Sequence, residues 1–149
     1  MIQRCLILTI LVIGLLTTAC QPSEFQDNHG NNGRYADFQG RWLVINYWAV
    51  WCKPCIEEIP ELNKFAAAHR EQVALLGVDF DQATGAKLQQ GVDKLGIEFP
   101  VLITDPAPVL GFDKPTVLPT TLIFNPQGKL HKILKGPQTQ ATLQKIIDS

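Results

Sequence analysis

Residues 42–55 read Trp-Leu-Val-Ile-Asn-Tyr-Trp-Ala-Val-Trp-Cys-Lys-Pro-Cys, and the change of pattern inside this stretch decides the fold. Trp42 to Trp48 is apolar at nearly every position, with Asn46 the one conspicuous exception. A strand of that kind is covered on both faces and lies centrally in a sheet. From Pro54 to His69 the apolar residues Ile56, Ile59, Leu62, Phe65 and Ala66 recur with helical spacing. Cys52 therefore stands where a helix leaves a buried strand. Unpaired N–H groups and the helix dipole favour an anion there, so the Cys52 thiol should ionise readily and act as a nucleophile. Lys53 adds a nearby cation, and Pro54 suits the first turn through its fixed φ and missing donor. Cys55, one turn in, can reach the same sulfur and should be the less exposed of the two.

Outward from this stretch the pattern alternates. Val73 to Phe80 is a second apolar strand, and Ala83 to Leu95 a polar-faced helix ending at Gly96. Phe99 to Ile103 is a short extended piece. Asp105 to Thr116, rich in Pro and Gly, reads as loop with one helical turn. Strands Thr120–Phe124 and Lys129–Leu134 flank Asn125-Pro126-Gln127-Gly128, a hairpin signal. Thr139 to Ile147 closes the chain as a helix. The order β-α-β-α, hairpin, α predicts an α/β fold: a mixed central β-sheet flanked by helices, its first strands parallel through crossovers and its hairpin antiparallel.

The N-terminus reads as an address. Arg4 and the start amine precede the apolar run Leu6–Leu16, and Thr17-Thr18-Ala19-Cys20 follows, the layout of an export signal. The run is shorter than the roughly 20 apolar residues of a membrane span. Ala19-Cys20 resembles a bacterial lipoprotein processing site, which would make Cys20 the lipidated first residue, although Thr17 stands where leucine is usual. Residues 21–36 are rich in Gln, Asn, Asp and Gly and read as a flexible linker. The expected organisation is an export segment over 1–20, a linker over 21–36 and one domain over 37–149. Cys5 falls within the export segment.

Composition narrows the function. The chain has 149 residues, 46% apolar and 18% charged, with a formal charge of −1. That suits one globular domain and offers no broad basic surface for nucleic acid. A lone CxxC is also half of a zinc site, but no second CxxC or HxxxH supplies the other ligands, so no metal is expected. A purely structural disulfide would close a very short loop and add little stability.

Taken together, WAVWCKPC after a buried strand, Pro60 five residues beyond Cys55, Pro119 within Val117-Leu118-Pro119-Thr120-Thr121, Asp37-Phe38-Gln39-Gly40-Arg41 and Phe99-Pro100-Val101-Leu102 resemble the thioredoxin superfamily, and within it the TlpA/ResA branch. The likeness runs over roughly Asp37 to Ser149. It implies a thioredoxin-like fold and an exported or membrane-tethered thiol–disulfide oxidoreductase. It implies a cis bond at Pro119, with Leu118 offering backbone groups to a client peptide, and Trp51 as a further client contact. Two departures matter. Lys-Pro stands between the cysteines in place of Gly-Pro, and Asn46 stands where cytoplasmic thioredoxins carry a buried aspartate.

Glu58 is the candidate replacement for that acid. With Cys55 at zero and 100° per residue, Glu58 falls at roughly 300°, inside the arc of Ile59, Leu62, Phe65 and Ala66. The resemblance implies an acid that tunes the active site at this position, three after the second cysteine. The expected activity is reduction of disulfides in exported proteins at the periplasmic or extracytoplasmic face, by Cys52 attack and Cys55 resolution. No cofactor is expected; electrons would come from a membrane donor of the DsbD or CcdA type, with the chain held to the membrane by its N-terminus. The alternatives are a thiol oxidant, and a copper-binding assembly factor with His131 as the nearest imidazole. A peroxidase reading lacks a PxxxTxxC stretch.

Overall fold

A computed structural model describes residues 22–149. Strand β1 (Phe25–Gln26) and strand β2 (Asn32–Gly33) form a small antiparallel hairpin. A 3-10 turn over Tyr35–Phe38 leads into β3 (Trp42–Trp48) and helix α1 (Lys53–Ala68). There follow β4 (Val73–Asp79), α2 (Gly85–Leu95), β5 (Val101–Leu102) and the single turn α3 (Ala107–Leu110). β6 (Thr120–Phe124), β7 (Leu130–Lys135) and α4 (Gln140–Ile147) complete the chain. The main sheet has five strands in the order β5-β4-β3-β6-β7. β3 and β4 run parallel, as do β4 and β5, while β6 is antiparallel to both of its neighbours. This is the mixed sheet the sequence predicts.

The sheet divides the core in two. Val44, Trp48, Ile59, Leu62, Phe65, Leu88, Val92 and Leu143 pack together on the face carrying α1, α2 and α4. Tyr35, Ile45, Tyr47, Leu76, Leu122 and Phe124 pack on the other face. Alternate residues of β3 thus serve opposite layers, which is why its sequence is apolar throughout. Ile59, Leu62 and Phe65 are fully enclosed on the inner arc of α1, and burying each contributes roughly 1.5–3 kcal/mol. α1 runs through Pro60 without a break. In the β6–β7 turn, Asn125 Oδ1 accepts from the N–H groups of Gln127 at 3.1 Å and Lys129 at 3.0 Å, and Gly128 takes φ +74°.

Two expectations need correction. Residues 22–36 are not a flexible linker but part of the folded body. Phe25 lies 5.0 Å from the Tyr35 ring and stacks on Phe38 at 5.8 Å. Asn28 clamps β5 twice, its N–H donating to Val101 C=O and its Oδ1 accepting from Val101 N–H, both at 2.8 Å. Asp27, 6% exposed, takes the N–H groups of His29 and Asn31 on one oxygen, each at 2.9 Å. The Phe25 ring lies directly over Gly33, where a Cβ would meet it at 2.5 Å. The composition looked unfoldable because it counts apolar side chains. This segment is held by polar side chains that satisfy backbone groups, together with the packing of Phe25 and Tyr35. The second correction is smaller. α2 begins at Gly85 rather than Ala83, since residues 79–84 are spent on a turn in which Asp79 accepts from Asp81 and Ala83 N–H and Gln82 sits at φ +54°. Residues 1–21, with Cys5 and Cys20 and the expected export segment, lie outside the described residues.

Candidate active site

Three chain segments meet at one end of the sheet. β3 runs into Ala49–Cys52, β4 in parallel with it runs into residues 80–83, and β6, antiparallel, begins just after Pro119. The register sets Asp79 beside Trp48 and Thr120 beside Tyr47, so Leu118 and Pro119 arrive where Cys52 departs. The Leu118–Pro119 peptide is cis. Leu118 packs against the cluster that contains Cys52 and Cys55.

Cys52 is the N-cap of α1, in extended backbone, and its Sγ accepts the Cys55 N–H at 3.3 Å. That N–H is one of the helix's unpaired donors, pointed at the atom that would carry negative charge. Cys52 and Cys55 are joined as a disulfide. Cys52 is 4% exposed and Cys55 wholly buried, the expected order. Lys53 and Pro54 occupy the first turn, where the sequence places them. Trp51 is 63% exposed, an unusual position for so large an apolar group.

Glu58 is 1% exposed and faces the sheet. Its Oε1 accepts from Asn46 Nδ2 at 2.8 Å and its Oε2 from the Gln138 N–H at 2.9 Å. Asn46 Nδ2 also donates to Thr121 Oγ1 at 3.0 Å, while Asn46 Oδ1 is buried without a partner. Burial pushes the Glu58 carboxyl up to about 7, against the opposing pull of the Gln138 and Asn46 hydrogen bonds. A carboxyl in that state can take up or release a proton near neutral pH beside the redox pair. The sequence identified Glu58 and Asn46 separately. Their contact was hidden, because it joins a helix to a strand and to a loop far along the chain.

The sequence names Trp51 but not the residues that hold it. Trp51 Nε1 donates to Asp81 Oδ2 at 2.7 Å, and its ring meets Phe80 edge-on at 6.4 Å. Lys114 Nζ lies 4.6 Å above the Phe80 ring and donates to the Phe80 C=O at 3.1 Å. Asp81 and Gln82 directly follow the apolar strand Val73 to Phe80 in the sequence, but nothing there aims Asp81 at Trp51.

The copper alternative loses its imidazole. The His131 ring packs edge-on against Trp42 at 5.3 Å, at the end of the sheet away from Cys52. Among the described residues, no group of three or more His, Cys, Asp or Glu side chains is placed to hold a metal, and no helix is long and apolar enough to cross a membrane.

Comparison with known proteins agrees with this geometry. The thiol–disulfide oxidoreductase ResA of Geobacillus thermodenitrificans is 29% identical over 124 residues, spanning 83% of this chain and 71% of the relative. StoA of Bacillus subtilis superposes with a TM-score of 0.67 at 21% identity, covering 81% of this chain and 92% of StoA. An exposed lipoprotein thioredoxin of Streptococcus pneumoniae superposes with a TM-score of 0.68 at 19% identity, covering 83% and 96%. The family model described as AhpC/TSA matches residues 17–133. With a thioredoxin-like sheet, and a cis-proline and a CxxC disulfide at one end of it, this chain belongs to the AhpC/TSA family and is a thiol–disulfide oxidoreductase of the ResA kind, with Cys52 and Cys55 as its redox pair.

Proposed function

We propose that the protein is a reductase of disulfides in exported proteins. In the reduced protein the Cys52 thiolate attacks one sulfur of a client disulfide. The client S–S bond breaks, its leaving sulfur takes a proton, and a mixed disulfide joins Cys52 to the client. Cys55 then gives up its proton and attacks Cys52 Sγ, releasing the second client thiol. The two electrons gained by the client leave Cys52 and Cys55 as a disulfide. The donor that restores the thiols is a membrane protein of the DsbD or CcdA type. The chain works at the extracytoplasmic face, tethered through a lipidated Cys20. The pneumococcal structural relative, an exposed lipoprotein, supports that location.

The observation that favours reduction over oxidation is Glu58, buried one turn from Cys55. Its charge, when present, opposes a neighbouring thiolate. A strong oxidant gains its power from a stabilised reduced form, and a buried carboxylate works against that stabilisation. The reduction potential tests the direction. It should lie nearer to about −270 mV, as for thioredoxin, than to about −120 mV, as for a strong oxidant; a value near the second would make the protein an oxidant. Trapping tests the roles of the sulfurs. Cys55→Ser should accumulate mixed disulfides with clients and Cys52→Ser should not, and equal trapping by both would reverse or dissolve the assignment.

A further inference from the structure

Glu24 is fixed to the body. Its N–H donates to the Gly33 C=O at 2.8 Å, and its Oε2 accepts the Tyr35 N–H at 2.8 Å. Cys20 precedes it by four residues, a stretch that spans at most about 14 Å when fully extended. A lipid on Cys20 therefore holds the domain close against the bilayer. Glu24 shares a cavity of about 260 Å³ with Val109, Phe124 and Gln127. It thus sits at the end of the sheet remote from Cys52, beside the turn that opens β7. The seven residues of β3 separate that end from the redox pair, about 20 Å of strand. Held by the tether alone, the domain could turn its disulfide away from the membrane.

β7 offers a second contact. It is an edge strand, open along one side. Leu130 is 42% exposed and Ile133 49%. Lys129, Lys132 and Lys135 alternate with them, beside His131 and without an acid over residues 129–135. Among the described residues, none of the three lysines has an ion-pair partner. The register sets Leu130 beside Phe124, Ile133 beside Leu122 and Lys135 beside Thr120, on the face away from α1. It sets Lys132 beside Ile123, on the face that carries α1. Lysine therefore flanks the open edge on both sides. Asp113 is the acid that shares a cavity with Ile133 and Lys135. Edge lysines guard a sheet against unwanted pairing, but a guard has no use for two exposed apolar side chains. Apolar groups set among unpaired lysines suit an interface with anionic headgroups. The strand begins beside the tethered end, and just beyond it the Gly136 N–H meets the Pro119 C=O at 2.9 Å. Its length joins the tether to the cis-proline.

We propose that β7 lies on the headgroups of an anionic bilayer, Leu130 and Ile133 against the interface and the three lysines on lipid phosphates. The tethered domain then rests on its side, with the redox pair at the membrane surface and within reach of a membrane donor. The proposal rests on the lipidated Cys20 of the reading above and adds the surface on which the domain lies.

The test places the mature lipidated protein in vesicles of phosphatidylcholine, alone or mixed with phosphatidylglycerol, and reads backbone hydrogen exchange. On the mixed vesicles, exchange over residues 129–135 should slow about tenfold relative to phosphatidylcholine alone. Salt at about 1 M should abolish the difference, because the screening length falls to about 3 Å. Lys129→Gln, Lys132→Gln and Lys135→Gln together should bring the slowing to within about twofold. Leu130→Ser with Ile133→Ser should reduce it in part, and Lys87→Gln with Lys94→Gln, on α2, should leave it intact. Wild-type reduction of hydroxyethyl disulfide in detergent shows that each variant is folded, since none of these side chains takes part in the exchange. Equal exchange on both kinds of vesicle, or slowing that survives the triple lysine variant, overturns the docking. Slowing by a soluble acidic peptide that the mixed vesicles do not reproduce overturns it too, and assigns the edge to a protein partner. Mass spectrometry of the mature N-terminus separates the docking from the reading beneath it. An acylated Cys20 with an unprotected β7 refutes the docking alone, whereas a mature chain without acyl groups removes the tether and the docking with it.

Discussion

Glu58 and Glu61 lie three residues apart on one helix, and each accepts a backbone N–H from the segment that leads into α4. Gln138 donates to Glu58 Oε2 at 2.9 Å and Gln140 to Glu61 Oε2 at 3.2 Å. Yet the two carboxyls respond in opposite directions. Glu58 is enclosed, and desolvation pushes it up to about 7. Glu61 keeps 34% of its side chain exposed, and the Gln140 N–H, followed by the Lys64 ammonium, holds it below the usual carboxylate range. The same kind of hydrogen bond favours the charged form in both places. What differs is the cost of taking the charge out of water, and on the inner arc of α1 that cost exceeds what two hydrogen bonds return. One turn of helix therefore carries a structural carboxylate and a titrating one.

The largest effect expected from this difference is in stability against pH. Glu58 has a folded value near 7 against an ordinary 4.5, so the folded state holds the proton longer than the unfolded one. Its contribution is fully present below about 4.5 and is lost as pH rises through about 7, a fall of about 3 kcal/mol. Denaturant unfolding of wild type between pH 4.5 and 8 should show that decline, and Glu58→Gln should lack it. Parallel slopes in the two proteins would mean that Glu58 is not desolvated as described. Next in size is Asn46→Leu, which removes the buried donor to Glu58 Oε1 and Thr121 Oγ1. It should cost about 1–3 kcal/mol in thermal or urea unfolding at neutral pH and raise the Glu58 pKa further, followed by carboxyl NMR. An unmoved Glu58 resonance would show that Asn46 does not favour the charged form.

The thiols should register the same contrast more weakly. An ionised Glu58 opposes thiolate formation, so Glu58→Gln should lower the apparent pKa in the alkylation rate of reduced protein. Sulfur and carboxyl can titrate as a pair, so the displacement belongs to the site. Glu61→Gln is the matched control and should leave that curve in place. Its own stabilising effect is present above the ordinary carboxylate range and fades as pH falls, the reverse of Glu58. If both variants displace the alkylation curve equally, the two carboxyls act only as distant charges and the contrast between them fails.

Much of the fold was legible because its signals are local. The strand Trp42–Trp48 and the strand Thr120–Phe124 were bounded to the residue, since apolar runs between turn residues leave little choice. Cys52 at the helix N-terminus followed from the junction of two periodicities, and the inward face of Glu58 from 100° steps along one helix. The hairpin over residues 22–36 was misread, because its order comes from Asp27 and Asn28 bonding to backbone groups, and β5 lies more than 70 residues further along the chain. Asp81 was not singled out for a related reason: an aspartate after a strand looks the same whether it faces water or an indole.

The sequence alone determined the CxxC at a helix start, the succession of strands and helices along the chain around it and which acid on α1 turns inward, because each depends on neighbours within a few residues. The tertiary structure decided three things. It brought Asn46, Glu58, Thr121 and Gln138 into one buried network, it set the Leu118–Pro119 bond cis beside the disulfide, and it fixed Trp51 on Asp81. These are contacts between distant segments. Their energies depend on desolvation and on the register of packed elements, and neither exists until the sheet has formed.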